Sequence, residues 1–269
     1  MPAVCLVNGT EGAALDPRDR GLHYGDGVFR TLLLEHGQPR WWDEQLAKLA
    51  ADAAHLGIAS PEAAVWQADL DLLAPRLADG VLKLLLTRGC GVRGYRPAAG
   101  SATRILIHEP GPPPSATWPA AGLTLRVCDL RLAAQPALAG IKHLNRLENV
   151  LARAEWNSPE IHEGLLLDAA GRVISGVMSN LFLWRDGCLD TPRLDQCGVA
   201  GLARARLMRS AAGAGFVVRE ARISLDDVLA ADELLLCNSL IGLRRIARLN
   251  HRTWPEAAVS QQLQALFDA

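Results

Sequence analysis

The sequence predicts an α+β protein built as two domains. Three observations carry this. Strand and helix signals follow one another in mixed order, without the regular strand–helix alternation of a doubly wound parallel sheet. The chain has 269 residues, enough for one large or two modest domains and for a sizeable buried core. Residues 109–119, EPGPPPSATWP, hold five Pro and one Gly in eleven positions, which neither a helix nor a central strand tolerates. The expected division is residues 1–109, a Pro-rich linker over 110–119, and residues 120–269.

The elements follow in order. Residues 4–7 form a short apolar run before an Asn8-Gly9 turn, and 28–34 a second one ending at His36-Gly37. Over 44–56, Leu46, Leu49, Ala50, Ala53 and Leu56 recur at helical spacing. Ser60-Pro61-Glu62-Ala63 reads as the cap and first turn of a helix reaching residue 77. Residues 81–87 and 103–108 read as strands. Beyond the linker, 123–130 is a strand and 145–156 a helix. Residues 163–167, 172–175, 180–184 and 233–238 are strands, and 202–214 and 259–267 are helices. No internal repeat is present.

Composition bounds the function. The formal net charge is −1, with 49% apolar and 21% charged residues, ordinary values for a globular chain. Near-neutrality gives no bulk attraction to nucleic acid or anionic membrane. No apolar run of ~18 residues is available to span a bilayer. The start MPAVCLVNGT lacks the basic region and length of a signal peptide. The six cysteines form no CxxC and have no metal-finger spacing to His. Their apolar flanks suggest buried free thiols, so a reduced cytoplasm, without a metal, is the expectation. Of the 28 basic residues only three are Lys: Lys48, Lys83 and Lys142. Base composition accounts for the abundance of Arg. The few Lys remain notable because Lys, unlike Arg, can lose its proton and form a Schiff base.

Four segments are candidates for chemistry. Gly89-Cys90-Gly91-Val92-Arg93-Gly94 matches GxGxxG, but Tyr95-Arg96-Pro97 follows where a dinucleotide site needs a helix. It reads better as a loop whose guanidiniums suit a carboxylated ligand, or as a solvated turn. Gly25-Asp26-Gly27 marks a tight turn into a strand. In Gly140-Ile141-Lys142-His143 a lone Lys stands just before a helix, where a solvated Lys is the ordinary case. Cys197-Gly198-Val199-Ala200-Gly201 leads small residues into a helix; free amides there can cradle an anion, though close packing explains the glycines equally well.

Together, RGLHYGDGVF, KLLLTRGCGVRGY, LAGIKHLNRLENVLARAEW, GVMSNLF, DQCGVAGLARARLM and ADELLLCNS resemble, in this order, the fold-type IV pyridoxal-phosphate enzymes. That group includes D-amino acid and branched-chain aminotransferases and an aminodeoxychorismate-cleaving lyase. The match runs from about residue 16 to 238. The resemblance implies a small N-terminal α/β domain and a larger, barrel-like C-terminal domain meeting around the cofactor, in a homodimer. IKHLNRLE and RGxGxRGY favour the lyase branch, which converts 4-amino-4-deoxychorismate to 4-aminobenzoate and pyruvate.

Residue roles are implied in the same way. Lys142 matches the lysine that forms the aldimine with pyridoxal 5'-phosphate and then moves protons. Val199 and Ala200 match backbone amides that hold the phosphate, and Ser239 a hydroxyl that also binds it. Thr31 matches a residue assisting the substrate chemistry, and Tyr24 lies near the cofactor. Arg93 and Tyr95, with Arg96 and Arg146, fall where substrate carboxylates are met. Two positions depart from the pattern. Ser175 stands where a Glu usually pairs with the protonated pyridine nitrogen, so a largely neutral ring nitrogen is expected, with Ser175 donating to it or a water bridging. Lys48 stands where an Arg usually reaches the phosphate; it keeps the charge and loses the fork. A weakened electron sink suits an elimination driven by aromatisation better than it suits transamination. Aminotransferases of the group also more typically carry Glu at the position of Arg30. An aminotransferase is the alternative reading, and a cofactor-binding relative with little turnover a third.

Overall fold

The structure, a computed structural model, describes residues 3–97, 100–256 and 258–268. The chain forms two compact units. One runs to Ala116 and adds Lys142–Asn145; the other comprises Thr117–Ile141 and everything from Arg146 onward.

The first unit contains β1 (Val4–Val7), β2 (Thr10–Glu11), α1 (Arg20–Tyr24), β3 (Gly27–Glu35), β4 (Gln38–Pro39), α2 (Trp42–His55), α3 (Ala63–Leu73), β5 (Gly80–Thr87) and β6 (Thr103–Pro110). Its strands make an antiparallel sheet of order β2-β1-β6-β5-β3-β4. Alternation along β3 and β5 sends Val28, Leu32 and Leu34, with Leu82, Leu84 and Leu86, into the core, and α2 lies against β3. Phe29, Thr31 and Leu33, with Val81, Lys83 and Leu85, form the opposite, half-buried face. Thr31 pairs directly with Lys83.

α1 lacks a periodic apolar pattern and was not expected. It exists because the Asp19 side chain caps it, accepting from Gly21 N–H at 2.7 Å. Gly25 ends it in the left-handed region, φ 63°. The helix expected to reach residue 77 stops at Leu73 and tightens into a 3-10 turn over Ala74–Arg76, where Pro75 cannot donate.

The second unit contains β7 (Leu123–Leu132), α4 (Leu147–Arg153), β8 (Glu163–Asp168), β9 (Arg172–Gly176), β10 (Asn180–Arg185), β11 (Cys188–Pro192), α5 (Leu202–Gly213), β12 (Val217–Ala221), β13 (Ile223–Ser224), α6 (Leu225–Ala230), β14 (Glu233–Asn238), β15 (Gly242–Leu249), β16 (Arg252–Thr253) and α7 (Ala258–Asp268). Its sheet follows the path β12-β11-β10-β14-β15-β7-β8-β9-β13, with β16 on β15. β9 and β10 also approach each other, so the sheet is nearly a closed barrel. Leu165, Leu181, Leu234, Leu236 and Ile246 belong to one buried cluster. Cys128, Trp156, Leu166 and Ile174 belong to another. β8 is buried at every position, including Glu163 and Asp168 at its ends.

The expected helix over 145–156 is shorter, because Asn145 belongs to the first unit and Arg146 is the cap. All six cysteines are free. Cys128, Cys197 and Cys237 are buried, whereas Cys5 and Cys90 are exposed and Cys188 lies between. The expectation of buried thiols fails for those three because each sits on an outward or loop position. Among the described residues, no helix is long and apolar enough to cross a membrane.

Candidate active site

Each unit carries one cluster of the residues singled out by sequence. In the first unit, residues 142–144 run beside the start of β3. Phe29 N–H donates to the Lys142 carbonyl at 3.0 Å, and Leu144 N–H to the Gly27 carbonyl at 2.9 Å. This pairing places the Lys142 Nζ 4.5 Å from the Phe29 ring centroid. Lys83 Nζ lies 5.4 Å from the same ring, and Thr31 is on the same face of β3. Cation–π attraction favours both placements.

Behind this face lies a buried ion cluster that sequence reading did not anticipate. Asp52, on α2, accepts from the Arg30 guanidinium and from the Lys48 ammonium. It also accepts from the Lys142 backbone N–H at 3.1 Å. Arg30 and Asp52 are both nearly inaccessible. Burial pulls the Arg30 guanidinium down to about 10. Burial, then the positive charge of Arg30, pulls the Lys48 ammonium down to about 8. Lys48 is therefore held to its own helix at i,i+4. The only advance signal was the Lys48–Asp52 spacing.

Tyr24, at the end of α1, packs its ring 5.4 Å from that of Tyr95. Arg93, Tyr95 and Arg96 are exposed on a loop of bends. Among the described residues no helix follows Gly94, so the GxGxxG match lacks the helix start that a pyrophosphate needs.

In the second unit, the segment leading to Lys142 is pinned to the turn before α5. Gly140 N–H donates to the Gly198 carbonyl at 3.0 Å, and Ala200 N–H donates to the Gly140 carbonyl at 3.1 Å. Lys142 follows two residues on. The Ala200 amide is thus engaged within the protein rather than turned to an anion. Asn180 braces the same turn: its Nδ2 donates to the Val199 carbonyl at 2.8 Å and its Oδ1 accepts from Gly201 N–H at 3.2 Å. Gly198 has φ +85°, and a Cβ there would stand 2.7 Å from Ile174 Cγ2. α5 begins at Gly201 with no side-chain cap, so its first-turn amides have no intrahelical partner and are suited to an anion.

Ser175 is buried on β9, opposite Leu166. Glu163, at the start of β8 and wholly buried, lies beside Gly176. The Glu163 carboxylate accepts from the amides of Gly164 at 3.0 Å and of Val177 and Met178 at 3.2 Å, and from Ser179 Oγ at 3.0 Å. Burial raises its pKa; these donors offset part of the rise. Ser239 is half-buried in the turn after β14, where Asn238 Oδ1 accepts from the amides of Leu240 and Ile241. Arg146 reaches Asn149 Oδ1 at 3.5 Å; burial lowers its pKa and Glu148 opposes that.

Known proteins share this architecture. Residues 27–249 match the amino-transferase class IV family. The chain belongs to that family. An aminodeoxychorismate lyase of Vibrio harveyi is 34% identical over 266 residues, covering 96% of this chain and 97% of that protein. A putative branched-chain-amino-acid aminotransferase of Methanocaldococcus jannaschii is 32% identical over 87% of this chain and 82% of its own. Among solved structures, 4-amino-4-deoxychorismate lyase from Pseudomonas aeruginosa superposes with a TM-score of 0.91 at 46% identity, covering 97% of each chain. The fold is therefore that of the fold-type IV enzymes.

Proposed function

We propose that this member of the class IV family cleaves 4-amino-4-deoxychorismate to 4-aminobenzoate and pyruvate, with pyridoxal 5'-phosphate as cofactor. The observation that carries the reading is the 46% identity, over 97% of both chains, to the Pseudomonas aeruginosa lyase. The residues present fit the cofactor. A primary amine stands at Lys142 in the first unit, and in the second unit the uncapped start of α5 offers amides to a phosphate.

Lys142 would hold the cofactor, with Val199 and the first turn of α5 taking its phosphate, helped by Ser239 and by the positive charge of Lys48. Ser175 would offer its hydroxyl to the ring nitrogen, and Tyr24 would line the cofactor. When bound, the cofactor supplies an electron sink for charge developing at the amine-bearing carbon of the substrate. The Lys142 amine would take the proton from that carbon. Its neutral form would be the active base. Thr31, on the same face, orients a proton toward the departing enolpyruvyl oxygen. Arg93, with Arg96 and Arg146, meets the substrate carboxylates through charge-assisted hydrogen bonds. Loss of the enolpyruvyl group leaves an aromatic ring, which drives the reaction forward.

The homodimer belongs to the same reading. Leu147, Val150 and Leu151 are 76%, 59% and 60% exposed on one face of α4, an apolar stripe suited to a second copy. Three buried free thiols agree with a reducing cytoplasm.

The test is product analysis. Purified protein loaded with cofactor should release 4-aminobenzoate and pyruvate in equal amounts with no amino acceptor. Lys142→Ala should abolish both and lose the visible absorbance of the lysine-bound cofactor. A requirement for a keto-acid acceptor would instead establish an aminotransferase, the reading favoured by the Methanocaldococcus relative.

A further inference from the structure

We propose that Arg20 is the positioning residue that holds Tyr95 and Arg93 in place for the substrate, a role resting on the reading of the 93–96 loop given above. Arg20 is 6% exposed, yet its guanidinium reaches a loop 74 and 75 residues away. Nη1 donates to the Gly94 carbonyl at 2.8 Å and Nη2 to the Tyr95 carbonyl at 3.1 Å. Among the described residues, no other side chain donates a hydrogen bond to residues 93–96. Those carbonyls belong to bends, with no sheet ladder to fix them.

The same guanidinium lies over the Tyr24 ring, 4.8 Å from its centroid, and the Tyr24 ring packs on that of Tyr95. One group therefore fixes both the backbone and the aromatic stack of the loop. Its own orientation is set by Asp26. Asp26 Oδ2 accepts from Arg20 Nε and Arg88 Nε, each at 2.8 Å. Arg88 is in turn tied to the Leu56 and Gly57 carbonyls. Burial alone would raise the Asp26 carboxyl; Arg88 and Arg20 more than reverse this and keep it ionised. The assembly is a rigid bracket running from the α2 end through Arg88, Asp26 and Arg20 to Tyr95. A buried Arg–Asp pair that merely closed the turn would not need two donors aimed at consecutive loop carbonyls. Lys could keep the charge on Asp26 but could not supply that fork.

The chain has only two tyrosines, so protein labelled with 3-fluorotyrosine gives two fluorine resonances, assigned with Tyr95→Phe. Arg20→Lys, which leaves Asp26 paired with Arg88, and Arg20→Met are compared with wild type. The proposal expects the Tyr95 resonance to lose the shift caused by the adjacent Tyr24 ring and to sharpen in both variants. It also expects KM for 4-amino-4-deoxychorismate to rise on the order of ten-fold while kcat changes far less. A variant with a lowered melting temperature but an unmoved Tyr95 resonance and unchanged KM would overturn it. If wild type releases no pyruvate, the reading of the reaction fails, and the fluorine spectra still decide whether Arg20 holds Tyr95.

Discussion

The Lys142 backbone N–H donates to Asp52 Oδ2 at 3.1 Å, across 90 residues of sequence. The same carboxylate neutralises the buried Arg30 and engages Lys48. A single acid thus anchors the Lys142 main chain and compensates two cations behind it. Removing it should be costly. Asp52→Ala leaves Arg30 buried and unpaired, with Nε already lacking a hydrogen-bond partner among the described residues. A loss of about 3–5 kcal/mol is expected, read by urea unfolding. Asp52→Asn should cost less, since it retains an acceptor for the Lys142 amide.

Lys48 gives a pH signature. Its ammonium is held down to about 8, by burial first and by Arg30 next. It is charged below that value and loses its charge as pH rises through it. If it supports the cofactor phosphate, affinity should fall several-fold between pH 7 and pH 9 beyond any change seen in Lys48→Arg, whose guanidinium stays charged. Titration of the apoprotein with pyridoxal 5'-phosphate at both pH values decides; parallel curves for the two proteins would remove Lys48 from the phosphate site.

Glu163 offers a test of the loop that follows Ser175. Both carboxylate oxygens accept two hydrogen bonds. Glu163→Gln removes a buried charge yet turns an NH2 toward two donors. The unsatisfied donors should dominate, with about 1–3 kcal/mol lost and a lower melting temperature. A more stable variant would mean that the charge itself, not the missing acceptor, controls this site.

Gly198 is constrained twice, by φ +85° and by the 2.7 Å approach of Ile174 to a Cβ. Gly198→Ala should lower stability by about 1–3 kcal/mol and weaken cofactor binding by displacing the turn that Gly140 and Asn180 hold. Calorimetry on the apoprotein separates the first effect from the second.

Much of this protein is determined by local sequence. The apolar run 28–34 falls within β3, and the apolar run 233–238 matches β14 at both ends. Motif order singled out Lys142, Thr31 and the turn before α5 as site candidates. Other elements escaped because their local signals conflict. β11 ends in Pro192, and β15 carries Arg244, Arg245 and Arg248; only their neighbours in the sheet make them strands.

The long-range pairings within each unit were decided by tertiary structure alone. Asp52 to Lys142, Arg20 to Tyr95 and Ala200 to Gly140 each join residues far apart in the chain. Periodicity reports how a segment buries its own face. Which distant donor meets which acceptor depends on strand register and on where loops return, and no local pattern encodes that. Hence Lys142 could be singled out from the sequence as a candidate, while the carboxylate that anchors its backbone could not.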